Sequence, residues 1–323
     1  MLRDVSDKGR LWRVLLYSFL LLIPLGMLQF IIALLFDLAG LEAENSLWVL
    51  RISVVLQDLF VMALPAYLVF KQSFKRPVAA LGMYKRPDMK QMLFVAFLLY
   101  IITTPLISVT GNWNQQLQFP TALKGLEASF RAMEDQAEKI YDMMFGSTNA
   151  FNLVMNIIIV AGLAALVEEI LFRGALQQLL HRITGNAHSA VWISAVVFSA
   201  IHMQFYGFVP RIIMGAVMGY LFIITKNLWV PIFYHFINNA IAVVMKTYMD
   251  NNAVIKQMEE FKPNLWHWLM AAVSLWFTYR LLKQMYLRFG TTATYQTELK
   301  PMPQPATPLA NKETAATPNE TEN

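Results

Sequence analysis

Eight runs of apolar residues, each close to or above the length that crosses a lipid bilayer, restrict this chain to one class of fold. A helix of about 20 residues spans the hydrocarbon core, and in lipid a helix satisfies its own backbone hydrogen bonds. The chain is 57% hydrophobic and 15% charged, whereas a soluble domain has about 25% charged residues. We therefore predict an all-α, polytopic transmembrane helical bundle of about eight spans. The predicted spans are residues 11–38, 47–70, 91–110, 151–180, 188–204, 210–225, 228–248 and 264–285.

The polar connection between the third and fourth spans, residues 111–150, is predicted to contain an amphipathic helix. Apolar residues recur there at alternating steps of three and four, which is the spacing of one helical face. These residues are Leu123, Leu126, Phe130, Met133, Ala137, Ile140 and Met144. The opposite face is polar and includes Glu127 and Arg131. Two interpretations stay open: a surface helix that packs on the bundle or lies at the membrane interface, and a mobile lid over a site.

The chain divides into four predicted parts. Residues 1–149 hold the first three spans and the amphipathic connection, 150–248 hold a core of four spans, 249–287 hold the last span, and 288–323 form a tail. The tail is rich in Thr, Pro, Glu and Asn and has no periodic apolar pattern, so we predict that it is disordered.

The distribution of Lys and Arg predicts the orientation in the membrane. Ten of them lie in the N-terminal head and in the connection after the second span, whereas the connection after the first span has none. Basic connections stay in the cytoplasm, so an even number of spans places both termini there and the 111–150 connection on the outer side of the cell membrane. The isoelectric point near 9.3 comes from these connections. It indicates membrane lipids as partners, and not nucleic acid.

The fourth span holds the most informative polar residues. Glu168, Glu169 and Arg173 lie within its apolar run, where each charge costs at least about 2.5–3.5 kcal/mol on insertion scales. Glu169 and Arg173 are four residues apart and are predicted to form an ion pair. Glu168 is about 100° away around the helix and has no partner in this segment, so we predict that it is the reactive group. Asp58, in the second span, is predicted to be a buried polar partner of another helix.

Three polar residues in other spans complete the candidate site. His202 lies in the predicted fifth span and shares a face with Phe198, whereas His235 and Asn239 share a face of the seventh. A rise of about 1.5 Å per residue puts them at depths compatible with that of Glu168. Each one taken alone has a structural interpretation, because buried His and Asn side chains commonly join membrane helices. Together they predict one polar site.

Such a set of residues suits hydrolysis. A carboxylate beside an imidazole can take a proton from water and deliver it to a leaving amine. A second imidazole and an amide can donate to the oxyanion of a tetrahedral intermediate. A zinc site of Glu168, His202 and His235 is an alternative, but the HExxH spacing of many zinc proteases is missing. The absence of cysteine excludes a thiolate nucleophile and thiolate metal ligands.

Three motifs occur in order on separate predicted spans and resemble those of the CPBP family, the CAAX-protease and bacteriocin-processing (Abi) intramembrane endopeptidases. The motifs are Glu168-Glu169-x-x-x-Arg173, Phe198-x-x-x-His202 and His235-x-x-x-Asn239. The resemblance covers about residues 150–245. It implies a glutamate-dependent endopeptidase that cleaves membrane-associated proteins or peptides, with residues 150–248 as the protease core.

The resemblance also implies a role for each motif residue. Glu168 would activate water with the help of His202, and His235 and Asn239 would form the oxyanion site. The Glu169–Arg173 pair would order the helix, with Phe198 as further support. The family resemblance favours a site without a cofactor, and zinc is the alternative.

Two other functions use the same residues differently. A proton-coupled transporter would need the buried carboxylates, but the two halves of the chain show no repeat and no paired broken helices. A non-catalytic membrane scaffold or bacteriocin-immunity-type protein, which the family also suggests, would keep the site without hydrolysis.

Overall fold

All regular elements of the described chain are helices. The computed structural model describes residues 46–73, 81–249 and 261–290, with five isolated positions between residues 9 and 40. We number eight helices in this part of the chain and count a helix as one where its winding changes without a break. The simple helices are α2 (Met89–Gln115), α3 (Lys124–Phe145), α5 (Ala187–Ile201), α6 (Phe208–Thr225), α7 (Trp229–Met249) and α8 (Leu265–Met285).

Two helices contain π-helical stretches. Helix α1 consists of Leu47–Gln57, the π-helical Asp58–Ala63 and Leu64–Ser73. Helix α4 consists of Ala150–Asn156, the π-helical Ile157–Leu163, Ala164–Glu169, the π-helical Ile170–Gln177 and Gln178–Thr184. Single 3₁₀ turns at Thr121–Leu123 and Phe205–Gly207 precede α3 and α6, and a π-helical turn at Tyr286–Gly290 ends α8.

The predicted all-α membrane bundle is confirmed. Seven of the eight predicted spans and the amphipathic helix have counterparts among the described helices. Within the described ranges, four helices are long and apolar enough to cross a membrane: Leu47–Lys71, Met89–Gln115, Ala150–Thr184 and Phe205–Thr225. Helix α5 is apolar but shorter, and α7 contains the polar residues of the candidate site. The first predicted span and the predicted disordered tail from residue 291 lie outside the described residues.

The second half of α4 lies at the centre of the bundle. Every residue from 171 to 180 is buried, so neighbouring helices enclose this part of α4 on all sides. Helix α5 packs along α6, and α8 packs along α2. Two glycines of α6 allow close packing: a Cβ at Gly219 would lie 2.8 Å from the side-chain oxygen of Gln177 in α4, and one at Gly215 would lie 3.1 Å from the Cβ of Ala195 in α5. Arg173 and Gln177 donate to the carbonyls of Gly215 and Gly219, at 2.9 and 3.1 Å.

The predicted end of the fifth span was wrong by three residues. Helix α5 ends at Ile201 and not at Gln204, and His202 is the residue that follows it. Met203 then has a positive φ of 55°, which turns the chain sharply. No glycine or proline marks this turn in the sequence, and therefore the apolar pattern extended the predicted helix past it.

Helix α3 leaves much of its apolar face exposed and buries one residue of its polar face. Its apolar residues Leu123, Leu126, Met133 and Ile140 are between 38% and 48% exposed. Glu127, predicted on the outer polar face, is buried instead, because the backbone N–H of Phe119 and two neighbouring cations bind its carboxylate. Helix α3 therefore rests on the bundle along one edge and at its C-terminal end, with much of its apolar face outward.

Candidate active site

Glu168 and Glu169 lie in a short α-helical stretch between two π-helical ones. The stretch Ala164–Glu169 is preceded by Ile157–Leu163 and followed by Ile170–Gln177. A π-helical turn inserts an extra residue into the helix and occurs frequently at functional sites. The two carboxylates are therefore presented from a helix whose winding changes on both sides of them.

Glu169 joins three helices through charged and hydrogen-bonded contacts. Its Oε1 atom accepts from Arg173 Nη1 at 2.6 Å and from His235 Nδ1 at 2.9 Å. Arg173 also donates to the carbonyl of Gly215 in α6, and its guanidinium lies 4.8 Å from the centre of the Phe198 ring. All three charged or polar groups are almost fully buried. The predicted Glu169–Arg173 pair is present, and it also holds His235.

His235 is oriented with one nitrogen toward each carboxylate. Because Glu169 accepts at Nδ1, that nitrogen carries a proton, assigned here from the hydrogen-bond partner. The other nitrogen, Nε2, lies 3.9 Å from Oε2 of Glu168. Glu169 therefore holds the proton on Nδ1 and fixes the orientation of the imidazole.

His202 approaches Glu168 from the other side. Its Nδ1 atom donates to the carbonyl of Phe198 at 2.7 Å, and its Nε2 atom lies 4.0 Å from Glu168 Oε2. The side chain of His202 is 27% exposed, whereas that of His235 is 3% exposed. The site therefore opens on the side of His202.

A single carboxylate oxygen thus faces two imidazole nitrogens. The separations of 3.9 and 4.0 Å exceed the length of a direct hydrogen bond, about 3.2 Å, and suit one bridging water molecule. Oε2 of Glu168 is buried and has no hydrogen-bond partner among the described residues. A buried oxygen without a partner is costly, and a water held by the two imidazoles would remove that cost.

Phe198 packs against both imidazoles. Its ring meets His202 edge to face with centres 4.9 Å apart, and it meets His235 in the same way at 5.8 Å. Phe172 packs edge to face against its other side at 5.0 Å. The side chain that the motif places four residues before His202 therefore supports both imidazoles.

Asn239 makes contacts that the sequence did not predict. Its Nδ2 atom donates to the carbonyl of Val160 at 3.2 Å, and its Oδ1 atom accepts from Asn238. Val160 lies in the first π-helical stretch of α4, so this bond attaches α7 to α4. An amide has two N–H donors, and the Val160 bond uses one of them.

The separations in this site are longer than those between the ligands of a bound zinc ion. In a tetrahedral site with bonds of about 2.0–2.2 Å, ligand atoms lie about 3.3–3.6 Å from one another. The corresponding separations of Glu168 from His202 and His235 are 4.0 and 3.9 Å. No group of three or more His, Asp or Glu side chains within the described ranges has the arrangement of a metal site.

Two charged residues from other helices also act on Glu168. Asp58 is buried in the π-helical stretch of α1, which packs against Ala164–Glu169, and its carboxylate interacts electrostatically with Glu168. Arg211 in α6 interacts electrostatically with both Glu168 and His202. Sequence reasoning found Asp58 only as a buried polar residue. It missed Arg211, because an arginine near the start of a span resembles an ordinary interfacial charge.

Comparison with known proteins finds a similarity to one family in the part of the chain that holds this site. Residues 150–241 match the family described as type II CAAX prenyl endopeptidase Rce1-like. This match confirms the resemblance indicated by the three motifs, over the same part of the chain. It includes all seven motif residues and helices α4 to α6, with the first half of α7.

Two curated relatives come from Bacillus subtilis (strain 168). "Putative membrane peptidase YdiL" is 30% identical over 106 residues, which are 33% of this chain and 43% of the relative. "Uncharacterized protein YpbD" is 30% identical over 92 residues, which are 27% of this chain and 44% of the relative. The chain thus spans less than half the length of these relatives. No solved structure matches it significantly.

Proposed function

We propose that this membrane protein, with a segment similar to the type II CAAX prenyl endopeptidases, is a glutamate-dependent intramembrane endopeptidase. The observation that carries the proposal is the pair of imidazole Nε2 atoms that flank one buried oxygen of Glu168 at 3.9 and 4.0 Å. Its substrates are proteins or peptides at the membrane, and its other partners are membrane lipids. We further propose that the site works without a metal or other cofactor.

In the first step, water between the three side chains attacks the scissile carbonyl. His202 has its proton on Nδ1, so its Nε2 lone pair accepts one hydrogen of the water and orients it. Glu168 Oε2 accepts the other hydrogen and takes that proton as the oxygen attacks the carbonyl carbon. The carbon–oxygen π bond breaks, and its electron pair moves to the carbonyl oxygen.

The oxyanion that forms lies beside His235. With both ring nitrogens protonated, His235 would donate from Nε2 to this oxyanion while Glu169 holds Nδ1. In that state the two glutamates together would offset the charges of His235 and Arg173. The second N–H of Asn239 is a further donor. Loss of one such donor typically lowers the rate about 100- to 1,000-fold.

In the second step, the tetrahedral intermediate collapses. The carbonyl double bond re-forms, the carbon–nitrogen bond breaks, and Glu168 transfers its proton to the departing nitrogen. The products are a carboxylic acid and an amine, and Glu168 is returned to its starting ionisation. The same carboxylate therefore acts first as a base and then as an acid.

Digestion of a mixed peptide library by the purified protein in detergent tests the proposal. New peptide termini are identified by mass spectrometry for the wild type and for Glu168→Gln, each with and without a chelator. We expect cleavage by the wild type to continue with chelator present. We expect Glu168→Gln to lose at least about 100-fold in rate, because it keeps the shape of the side chain but cannot take a proton.

Two matched histidine variants distinguish loss of a site residue from the general effect of replacing a histidine. His202→Ala should lose cleavage, whereas His188→Ala should retain it. His188 lies near the start of α5, the helix that ends just before His202, and it contacts Tyr220 outside the candidate site. Retained activity in Glu168→Gln would refute the mechanism, and loss of activity with chelator alone would replace it with a metal-dependent one.

A further inference from the structure

An arginine stands at the open side of the candidate active site. Arg211 lies in the first turn of α6 and is only partly buried. Its charge interacts electrostatically with Glu168 and with His202. A positive charge at this position would attract an anionic group of a substrate bound beside Glu168 and His202.

The loop that follows His202 orients the guanidinium. Nη2 of Arg211 donates to the side-chain oxygen of Gln204 at 2.8 Å, and Nη1 donates to the Gln204 carbonyl at 3.4 Å. A Cβ at Gly207 would come within 2.9 Å of Nη2, so the missing side chain leaves room for the guanidinium. Asn114 of α2 holds the same loop, through the carbonyl of Phe205 and the N–H of Val209. Arg211 is thus fixed against a loop that is itself anchored.

The charge of Arg211 is not neutralised at close range. Both of its hydrogen-bond acceptors are neutral oxygens of Gln204, and no carboxylate of the described residues forms an ion pair with it. Glu134 of α3 interacts with it electrostatically from a longer distance. Arg173, by contrast, has a carboxylate oxygen 2.6 Å away. An arginine offers five N–H donors in a planar fork that matches a carboxylate, and two contacts to Gln204 leave part of it available.

We propose that Arg211 binds a carboxylate of the substrate, either a free C-terminal carboxylate or the side chain of an Asp or Glu near the scissile bond. The proposal rests on the peptidase function proposed above and adds a substrate preference to it. The two carboxylate sources share one chemistry, a planar anion that accepts parallel N–H···O bonds from the guanidinium.

Matched peptides test the preference directly. A sequence that the wild type cleaves is made with a C-terminal carboxylate and with a C-terminal amide, and each is also made with Asp or Asn at positions near the cleaved bond. We expect one carboxylate position to lower KM about 10- to 100-fold relative to its neutral counterpart, as for a hydrogen bond to a charged group. The position that shows the effect identifies the source of the carboxylate.

Substitutions of Arg211 and of the charged residues around it distinguish a role of Arg211 in substrate binding from a purely structural role. Arg211→Gln should remove the difference in KM between the charged and neutral peptides, and Arg211→Lys should restore part of it. Glu134→Gln should enlarge the difference, because it removes a competing negative charge. Arg131→Gln is the matched control: its guanidinium lies over the Tyr206 ring and pairs with Glu127, and it should leave the difference unchanged.

A binding measurement makes the test independent of catalysis. The mixed peptide library is prepared as free acids and as amides, and its retention on immobilised Glu168→Gln protein is compared with that on the Glu168→Gln/Arg211→Gln double variant. Preferential retention of the acids on the first protein alone supports the proposal even if no peptide is cleaved. Equal retention of acids and amides overturns it, as does a preference that survives in the double variant.

Discussion

A single carboxylate, Glu169, links the residues that surround Glu168. It accepts from Arg173 and from His235, and Arg173 in turn contacts Phe198, whose ring lies against both imidazoles. The reactive arrangement therefore depends on a residue that is fully buried and touches no substrate. At the scale of individual residues, Glu169 is a positioning residue, and its effects on stability and on rate can be separated.

Substitution of Glu169 by Gln should lower both stability and rate. Removal of one partner of a buried ion pair costs about 3–5 kcal/mol, because the other charge stays buried without compensation. We also expect the cleavage rate to fall about 100-fold or more, since His235 loses the carboxylate that holds its Nδ1 proton. Thermal unfolding in detergent and peptide cleavage measure the two effects.

A double variant distinguishes the two roles of Glu169. In Glu169→Gln/Arg173→Met both buried charges are gone, so we expect a large part of the lost stability to return. The cleavage rate should stay low, because His235 still lacks its carboxylate. Recovery of the rate together with stability would show that Glu169 acts only by stabilising the fold.

At the scale of helices, changes of winding place the functional residues. Both carboxylates of α4 lie between π-helical stretches, and Asp58 begins the π-helical stretch of α1 that packs beside them. Asn239 contacts a carbonyl in one of these stretches. The extra residue in a π-helical turn rotates all later side chains around the helix axis. A uniform step of 100° per residue therefore does not give the face on which they lie.

Helix α3 is attached to the bundle near the site by charged and aromatic contacts. Phe130 stacks on Phe205 with ring centres 5.1 Å apart, and Phe205 follows His202 by three residues. At the start of α3, Glu127 binds Lys124 and Arg131, and it also accepts from the N–H of Phe119, which precedes the helix. These contacts make α3 a neighbour of the opening to the site. Whether it moves as a lid stays a prediction.

Acidification should loosen the start of α3. The hydrogen bonds from Lys124 and Arg131 lower the pKa of Glu127 from 4.5 to about 2. Because the folded-state pKa is depressed, the contribution of this carboxylate to stability is complete above the unfolded value, near 4.5, and is lost as the pH falls through about 2. A nitroxide label at the exposed position 126 should become more mobile over this interval.

The Glu127→Gln variant is the control for the pH effect. Without the carboxylate, the label at position 126 should already be mobile at pH 5 and should change little on acidification. Equal mobility of the two proteins at pH 5, or no change in the wild type between pH 5 and pH 2, would contradict the role assigned to Glu127.

At the scale of the whole molecule, orientation in the membrane decides which side the site faces. We predict cytoplasmic termini and an external α3, from the ten Lys and Arg residues on one side of the first two spans. Fusion of a compartment reporter at residue 130 should give an external signal, and fusion at residue 288 a cytoplasmic one. A cytoplasmic signal from position 130 would reverse the orientation, and His202 would then open toward the other side.

The pattern of residues along the chain was sufficient to predict the bundle, the existence of the described helices, the Glu169–Arg173 pair and the family resemblance. These depend on local rules: apolar runs of membrane length, and spacings of three or four residues that define a helical face. The same rules extended α5 past His202, and they put Glu127, which is buried, on the polar face of α3. Spacing alone does not show where the chain turns after α5, or that Lys124, Arg131 and the N–H of Phe119 gather around Glu127.

Only the tertiary structure decided how the helices are turned and shifted against one another. Rotation and depth depend on contacts between helices, such as Arg173 and Gln177 with the glycine carbonyls of α6, which no spacing within one helix specifies. These contacts bring the Nε2 atoms of His202 and His235 to one oxygen of Glu168, direct Asn239 to Val160, and put Arg211 beside the opening. The sequence by itself determined which groups are available for chemistry. Packing between helices determined which atoms of those groups meet.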